Sequence, residues 1–161
     1  MQKLYKTNSA QETVELAKEI AYKLKGGEVL ALSGDLGAGK TAFVQGLALA
    51  LGVKDKVQSP TFNLLKVYSV AKKYLPTRLA ESARGGEGGL KFLVHVDAYR
   101  LTDGSETTEI GLPEYLNSPD TVVAIEWPEN IISVIPSNAI KISFSLGKTI
   151  NSREIKVSYT S

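Results

Sequence analysis

The sequence predicts an α/β fold with a mixed sheet that ends in an antiparallel hairpin, and three observations predict it. Apolar runs at residues 28–33, 92–97 and 121–126 have the length of strands covered on both faces. Segments of helical spacing stand before, between and after the first of these runs. The tail alternates at period two, through Ile140, Ile142, Phe144 and Leu146 and then Ile155, Val157 and Tyr159, across a turn near residues 147–152.

Each element has a local cause. Ser9-Ala10-Gln11-Glu12 reads as a capping box, after which Val14, Ala17, Ile20, Ala21 and Leu24 recur at helical spacing until Gly26-Gly27 stops the run. Val29, Leu30, Ala31 and Leu32 form the first strand. Residues 40–51 are apolar nearly all round, with Phe43, Val44, Leu47, Leu49 and Leu51, so this helix is expected to be buried, and Gly52 supplies its stop. Residues 61–70 read as a strand after Ser59-Pro60. Residues 105–116 read as short helical pieces around Gly111 and Pro113.

At 161 residues the chain falls in the range of one domain, about 100 to 200 residues, and a single domain over 1–161 is expected. No run approaches the roughly 18 apolar residues of a membrane span, and the start of the chain lacks an apolar signal core, so a cytoplasmic protein is expected. The absence of cysteine excludes disulfides, thiolate zinc sites and cysteine nucleophiles, and the single histidine, His95, excludes a histidine cluster. A metal here is expected to be hard and oxygen-liganded, as Mg²⁺ is. The net charge of +2 is too small to argue for nucleic acid. Residues 69–91, however, carry Lys72, Lys73, Arg78, Arg84 and Lys91 against Glu81 and Glu87, beside a cluster of glycines. This basic, Gly-rich insert reads as a solvated loop, or alternatively as a contact for nucleic-acid phosphates or a partner's acidic face.

The chemistry is concentrated in Gly34-Asp35-Leu36-Gly37-Ala38-Gly39-Lys40-Thr41, a complete Gly-x-x-x-x-Gly-Lys-Thr pattern lying between a strand and a helix. Glycines let the backbone turn tightly and point N–H groups inward, and the following helix adds its positive end to that anion nest. Lys40 is expected to reach the outer phosphates of a nucleotide and Thr41 to place its hydroxyl on Mg²⁺. The Asn-Lys-x-Asp and Asp-x-x-Gly patterns of common GTPases do not occur, which favours ATP. Two carboxylates, Asp97 and Glu126, end apolar runs, and ligands of open α/β sheets bind beyond the carboxyl ends of strands. One is expected to serve Mg²⁺ and the other to orient the attacking water. Thr61, in Ser59-Pro60-Thr61-Phe62, is either a switch hydroxyl sensing the outer phosphate or part of an ordinary turn. His95, within a strand, reads as a packed or hydrogen-bonded residue.

Read in order, these pieces resemble the TsaE family, formerly YjeE, small bacterial P-loop ATPases needed for threonylcarbamoyladenosine modification of tRNA beside the anticodon. The resemblance rests on the loop at 34–41, Ser59-Pro60-Thr61-Phe62, His95-Val96-Asp97-Ala98-Tyr99-Arg100-Leu101, Glu109-Ile110-Gly111 and Glu126-Trp127-Pro128-Glu129. It covers the chain apart from residues 69–91, where the family has a shorter link. It implies a three-layer P-loop fold, an ATPase that is weak alone, and work in a complex with TsaB and TsaD, touching tRNA only indirectly or weakly. It further implies a nucleotide site at residues 34–42, including Ala42, with Thr7 and Trp127 as neighbours. Thr41 and Glu126 resemble the Mg²⁺ shell, and Asp97, Glu126 and Thr61 the catalytic or switch groups. The alternatives are a small-molecule P-loop kinase, with Arg78 or Arg84 on a lid, and a nucleotide-binding switch with negligible turnover.

Overall fold

The computed structural model describes residues 1–71 and 89–159. Seven strands form one mixed sheet: β1 (Gln2–Thr7), β2 (Val29–Ser33), β3 (Leu65–Ser69), β4 (Phe92–Asp97), β5 (Thr121–Glu126), β6 (Ile140–Leu146) and β7 (Arg153–Ser158). Their spatial order is β1-β7-β6-β2-β5-β4-β3. The β6-β2-β5-β4 centre is parallel, while β1, β7 and β3 attach antiparallel at the two sides. All four parallel strands therefore end on one edge, where two of them deliver Asp97 and Glu126.

Alternation across the sheet divides the core into two layers. Helices α1 (Ala10–Ala21) and α2 (Lys40–Ala50) cover one face, packing Leu16, Ile20, Phe43 and Leu47 on Leu30, Leu32, Leu93 and Ile142. The other face carries Val94, Val96, Val123 and Ile125, covered by Leu101, which precedes a 3-10 turn at Gly104–Thr108, by Leu112 of helix α3 (Leu112–Leu116) and by Ile131 of a 3-10 segment at Pro128–Val134. The expected mixed sheet, closing hairpin and three layers are all present.

Helix α1 begins at the predicted cap, with Ser9 Oγ accepting the Glu12 amide at 3.1 Å. The Glu12 carboxylate reaches back to the amide of Asn8 rather than that of Ser9, at 2.8 Å. Helix α2 is buried on most of its circumference, as its composition predicts, although Leu49 faces solvent. The two helices approach closely because Gly46 has no side chain: a Cβ there would lie 2.5 Å from the Val14 carbonyl.

Three features depart from the sequence reading. Strand β1 carries little apolar signal, since Leu4 is exposed and Lys3 and Lys6 stand on an edge; its order comes from the ladder with β7 and from Met1, whose ammonium donates to the Tyr159 carbonyl. The strand read at 61–70 begins only at Leu65, because residues 61–63 form a turn and Leu64 takes a left-handed φ of 60°. The 3-10 segment after β5 follows another left-handed residue, Trp127, at φ 59°. Residues 72–88, which hold most of the basic insert including Arg78 and Arg84, lie outside the described residues.

Candidate functional site

A cavity of about 540 Å³ opens at the carboxyl ends of β2, β4 and β5, within the size range of small-molecule sites. Its floor is the glycine loop. Ala38 N–H closes a turn on the Asp35 carbonyl at 3.1 Å, and α2 starts after Gly39, whose φ of 106° is one that L side chains rarely adopt. The first turn of α2 thus presents its free amides to the cavity.

Lys40 folds back over this loop. Its Nζ donates to the carbonyls of Gly34 at 2.5 Å and Asp35 at 2.9 Å, and lies 4.1 Å from the Trp127 ring centre. Burial pushes its ammonium below the ordinary lysine value, against the opposing pull of Glu126, Glu129, Asp97 and Asp35. Trp127 is held for this contact by its own backbone: its N–H donates to Leu32 O at 3.2 Å, tying the exit of β5 to β2. Tyr99 packs on it, with ring centres 5.0 Å apart, and Asn130 fixes the Tyr99 turn by donating to the carbonyls of Ala98 and Tyr99.

The two strand-end carboxylates are direct neighbours, since β4 and β5 run parallel with Asp97 opposite Glu126. Both are buried, yet both line the cavity. They have separate networks. Glu126 Oε1 accepts the Thr41 hydroxyl at 3.0 Å and faces His95 Nε2 at 2.8 Å. Asp97 Oδ2 accepts the Ser59 hydroxyl at 2.7 Å, Oδ1 accepts the Tyr99 amide at 3.1 Å, and Ser59 lies 3.2 Å from the Thr61 hydroxyl. Thr61 therefore joins the Asp97 side of the cavity through Ser59.

The structure brings Gly37, Gly39, Lys40, Thr41, Ala42, Thr61, Asp97, Glu126 and Trp127 together on one cavity. Leu36 also lines it, with its side chain largely in solvent. Gly34, Asp35 and Ala38 do not line it; the carbonyls of Gly34 and Asp35 accept from Lys40. Thr7 does not line the cavity. It is buried behind α1, its hydroxyl 3.0 Å from that of Thr13, and it is Thr13 that borders the cavity.

Sequence reasoning passed over four contributors. Ala10 and Thr13 belong to the first turn of α1, and Asn151 and Arg153 to the β6–β7 hairpin. Arg153 spans from that hairpin to the loop, donating to the Gly37 carbonyl at 3.1 Å. A polar hairpin turn so far along the chain carries no local mark of such a contact. Ser59 was visible only as part of the segment that holds Thr61.

The donor set suits a magnesium nucleotide. Among the described residues no group of three or more His, Cys, Asp or Glu side chains could hold a metal alone. Thr41 and Glu126 supply hard oxygens side by side, and a metal held there would draw the remainder of its shell from phosphate and water. The amides of the loop and the Lys40 ammonium are donors of the kind that phosphates of such a nucleotide would need.

Comparison with known proteins places the chain in a family. The family model described as threonylcarbamoyl adenosine biosynthesis protein TsaE matches residues 7–155. The chain is 36% identical over 151 residues to the tRNA threonylcarbamoyladenosine biosynthesis protein TsaE of Treponema pallidum, covering 94% of this chain and 96% of the relative. It is 33% identical to the TsaE of Borreliella burgdorferi, covering 82% of each chain. The crystal structure of Bacillus subtilis YdiB superposes with a TM-score of 0.75 at 30% identity, covering 100% of this chain and 87% of YdiB. With the family model matching residues 7–155 and relatives matched over most of their length, the chain belongs to the TsaE family.

Proposed function

We propose that this protein binds Mg²⁺–ATP in the cavity at the carboxyl ends of β2, β4 and β5, hydrolyses it slowly, and thereby serves threonylcarbamoyladenosine modification of tRNA in a complex with TsaB and TsaD. The carrying observation is the joining of three parts: the glycine loop with Lys40, the Thr41–Glu126 contact, and Asp97 beside Glu126 on the neighbouring strand. The modification pathway is the one named for the relatives above.

Each side chain has work in this reading. The loop amides and Lys40 hold the phosphates, and Lys40 exchanges its bonds to Gly34 and Asp35 for phosphate oxygens. Thr41 and Glu126 hold Mg²⁺, which when bound neutralises charge on the phosphates. Asp97, kept in place by Ser59 and the Tyr99 amide, is the carboxylate left to orient the attacking water and accept its proton. Thr61, through Ser59, couples the Pro60 turn to that carboxylate. Trp127 and Tyr99 provide an aromatic wall.

Phosphate release measured with the chain alone and with TsaB and TsaD tests the proposal. Slow hydrolysis that rises in the complex is the expected result. Binding without any hydrolysis under either condition would replace it with a nucleotide-dependent switch.

A further inference from the structure

His95 is the one histidine of the chain, it is fully buried in β4, and nothing in the reading above uses it. Its Nε2 lies 2.8 Å from Glu126 Oε1, whereas its Nδ1 is buried without a hydrogen-bond partner among the described residues. Oε1 already accepts from the Thr41 hydroxyl, and with Oε1 accepting here too the hydrogen of the contact lies on Nε2. A hydrogen on Nδ1 would meet no acceptor among the described residues. An apolar residue in this strand would pack without leaving a buried nitrogen unpaired. Among the described residues the imidazole is therefore matched to Glu126 alone.

The Glu126 side chain has several rotatable bonds, and both of its hydrogen bonds fall on Oε1, from Thr41 and His95. Once the Thr41 hydroxyl turns its oxygen to a metal, its bond to Oε1 is given up or weakened. His95 is then the protein donor that still fixes Glu126, with Oε2 unbonded. We propose that His95 is a positioning residue for Glu126: through Nε2–H it holds the carboxylate in the orientation that receives the Mg²⁺ of a bound nucleotide. This inference rests on the magnesium-nucleotide reading of the cavity.

The test uses the full chain, ADP as probe, and the fluorescence of the single tryptophan, Trp127, which lines the cavity. Magnesium is titrated into protein with ADP. His95→Gln keeps a donor at the reach of Nε2, whereas His95→Asn is polar but too short. His95→Asn is expected to raise the magnesium midpoint about tenfold or more, the scale on which partners of metal ligands act, with ADP affinity in EDTA unchanged. His95→Gln is expected to restore the midpoint to within about threefold of the parent. Equal midpoints for parent and His95→Asn overturn the proposal alone. A parent protein that binds ADP without any magnesium response overturns the reading of the cavity and the proposal with it. Two-bond ¹H–¹⁵N correlations of the lone imidazole give a second arm that needs no variant to fold: a hydrogen on Nε2 supports the proposal, and one on Nδ1 overturns it.

Discussion

The Thr41 hydroxyl donates to Glu126 Oε1 across 3.0 Å, joining the first turn of α2 to the last residue of β5 over 85 residues of sequence. Thr41→Val removes both this bond and the proposed metal ligand, and Thr41→Ser keeps them. Loss of a metal ligand costs at least as much as loss of a ligand's hydrogen-bonding partner, so Thr41→Val is expected to weaken Mg²⁺-nucleotide binding about tenfold or more. Thr41→Ser should stay close to the parent. Trp127 fluorescence titrations with and without Mg²⁺ measure this, and equal loss in EDTA would place the effect on the loop rather than on the metal.

Lys40 predicts a pH dependence. Burial holds its ammonium below the ordinary lysine value, and bound phosphate favours the charged form. Nucleotide affinity is therefore greatest below the Lys40 pKa of the free protein and falls as pH rises through it, beginning earlier than an exposed lysine would allow. In that alkaline window binding takes up protons. Calorimetry in two buffers of different ionisation enthalpy reads the uptake, and Lys40→Met should abolish it.

Asp97 and Glu126 are expected to separate chemistry from binding. Asp97→Asn keeps the shape that Ser59 and Tyr99 hold but loses the base, and a positioned general base contributes about 10²–10⁴-fold. Turnover in the complex should fall by that order while ATP affinity stays within a few-fold. Ser59→Ala should reduce turnover less, since Asp97 keeps its bond from the Tyr99 amide. Phosphate release and equilibrium binding on the same variants decide the matter.

The contact between α1 and α2 yields a stability prediction. Alanine in a helix interior is favoured over glycine by about 1 kcal/mol, which argues that Gly46→Ala should stabilise. Its Cβ, however, would lie 2.5 Å from the Val14 carbonyl and 2.6 Å from the Ala17 Cβ. Overpacking costs about 1–3 kcal/mol, so the net effect is expected to be a lower Tm by a few degrees. A raised Tm would mean that the helices separate freely.

Much of this was legible in the sequence because the responsible signals are local. The glycine loop, the apolar α2 and the alternating hairpin each announce themselves within about a dozen residues. Asp97 and Glu126 could be placed at strand ends because the runs before them are apolar. Their pairing across β4 and β5 is a matter of sheet register, which no local pattern states. Strand β1 is polar because it is an edge, so its order depends on β7, more than a hundred residues away. Arg153 reaches Gly37 for the same kind of reason. Thr7 belongs to a layer behind Thr13, a distinction of packing rather than of motif.

The central claim is that Mg²⁺–ATP handled by this cavity is needed for tRNA modification. Its most direct test is reconstitution of threonylcarbamoyladenosine formation with TsaB and TsaD, comparing the parent chain with Lys40→Ala. Repeated rounds of modification are expected with the parent chain, and failure to sustain them with Lys40→Ala. Equal modification with both, or without the chain at all, would contradict it.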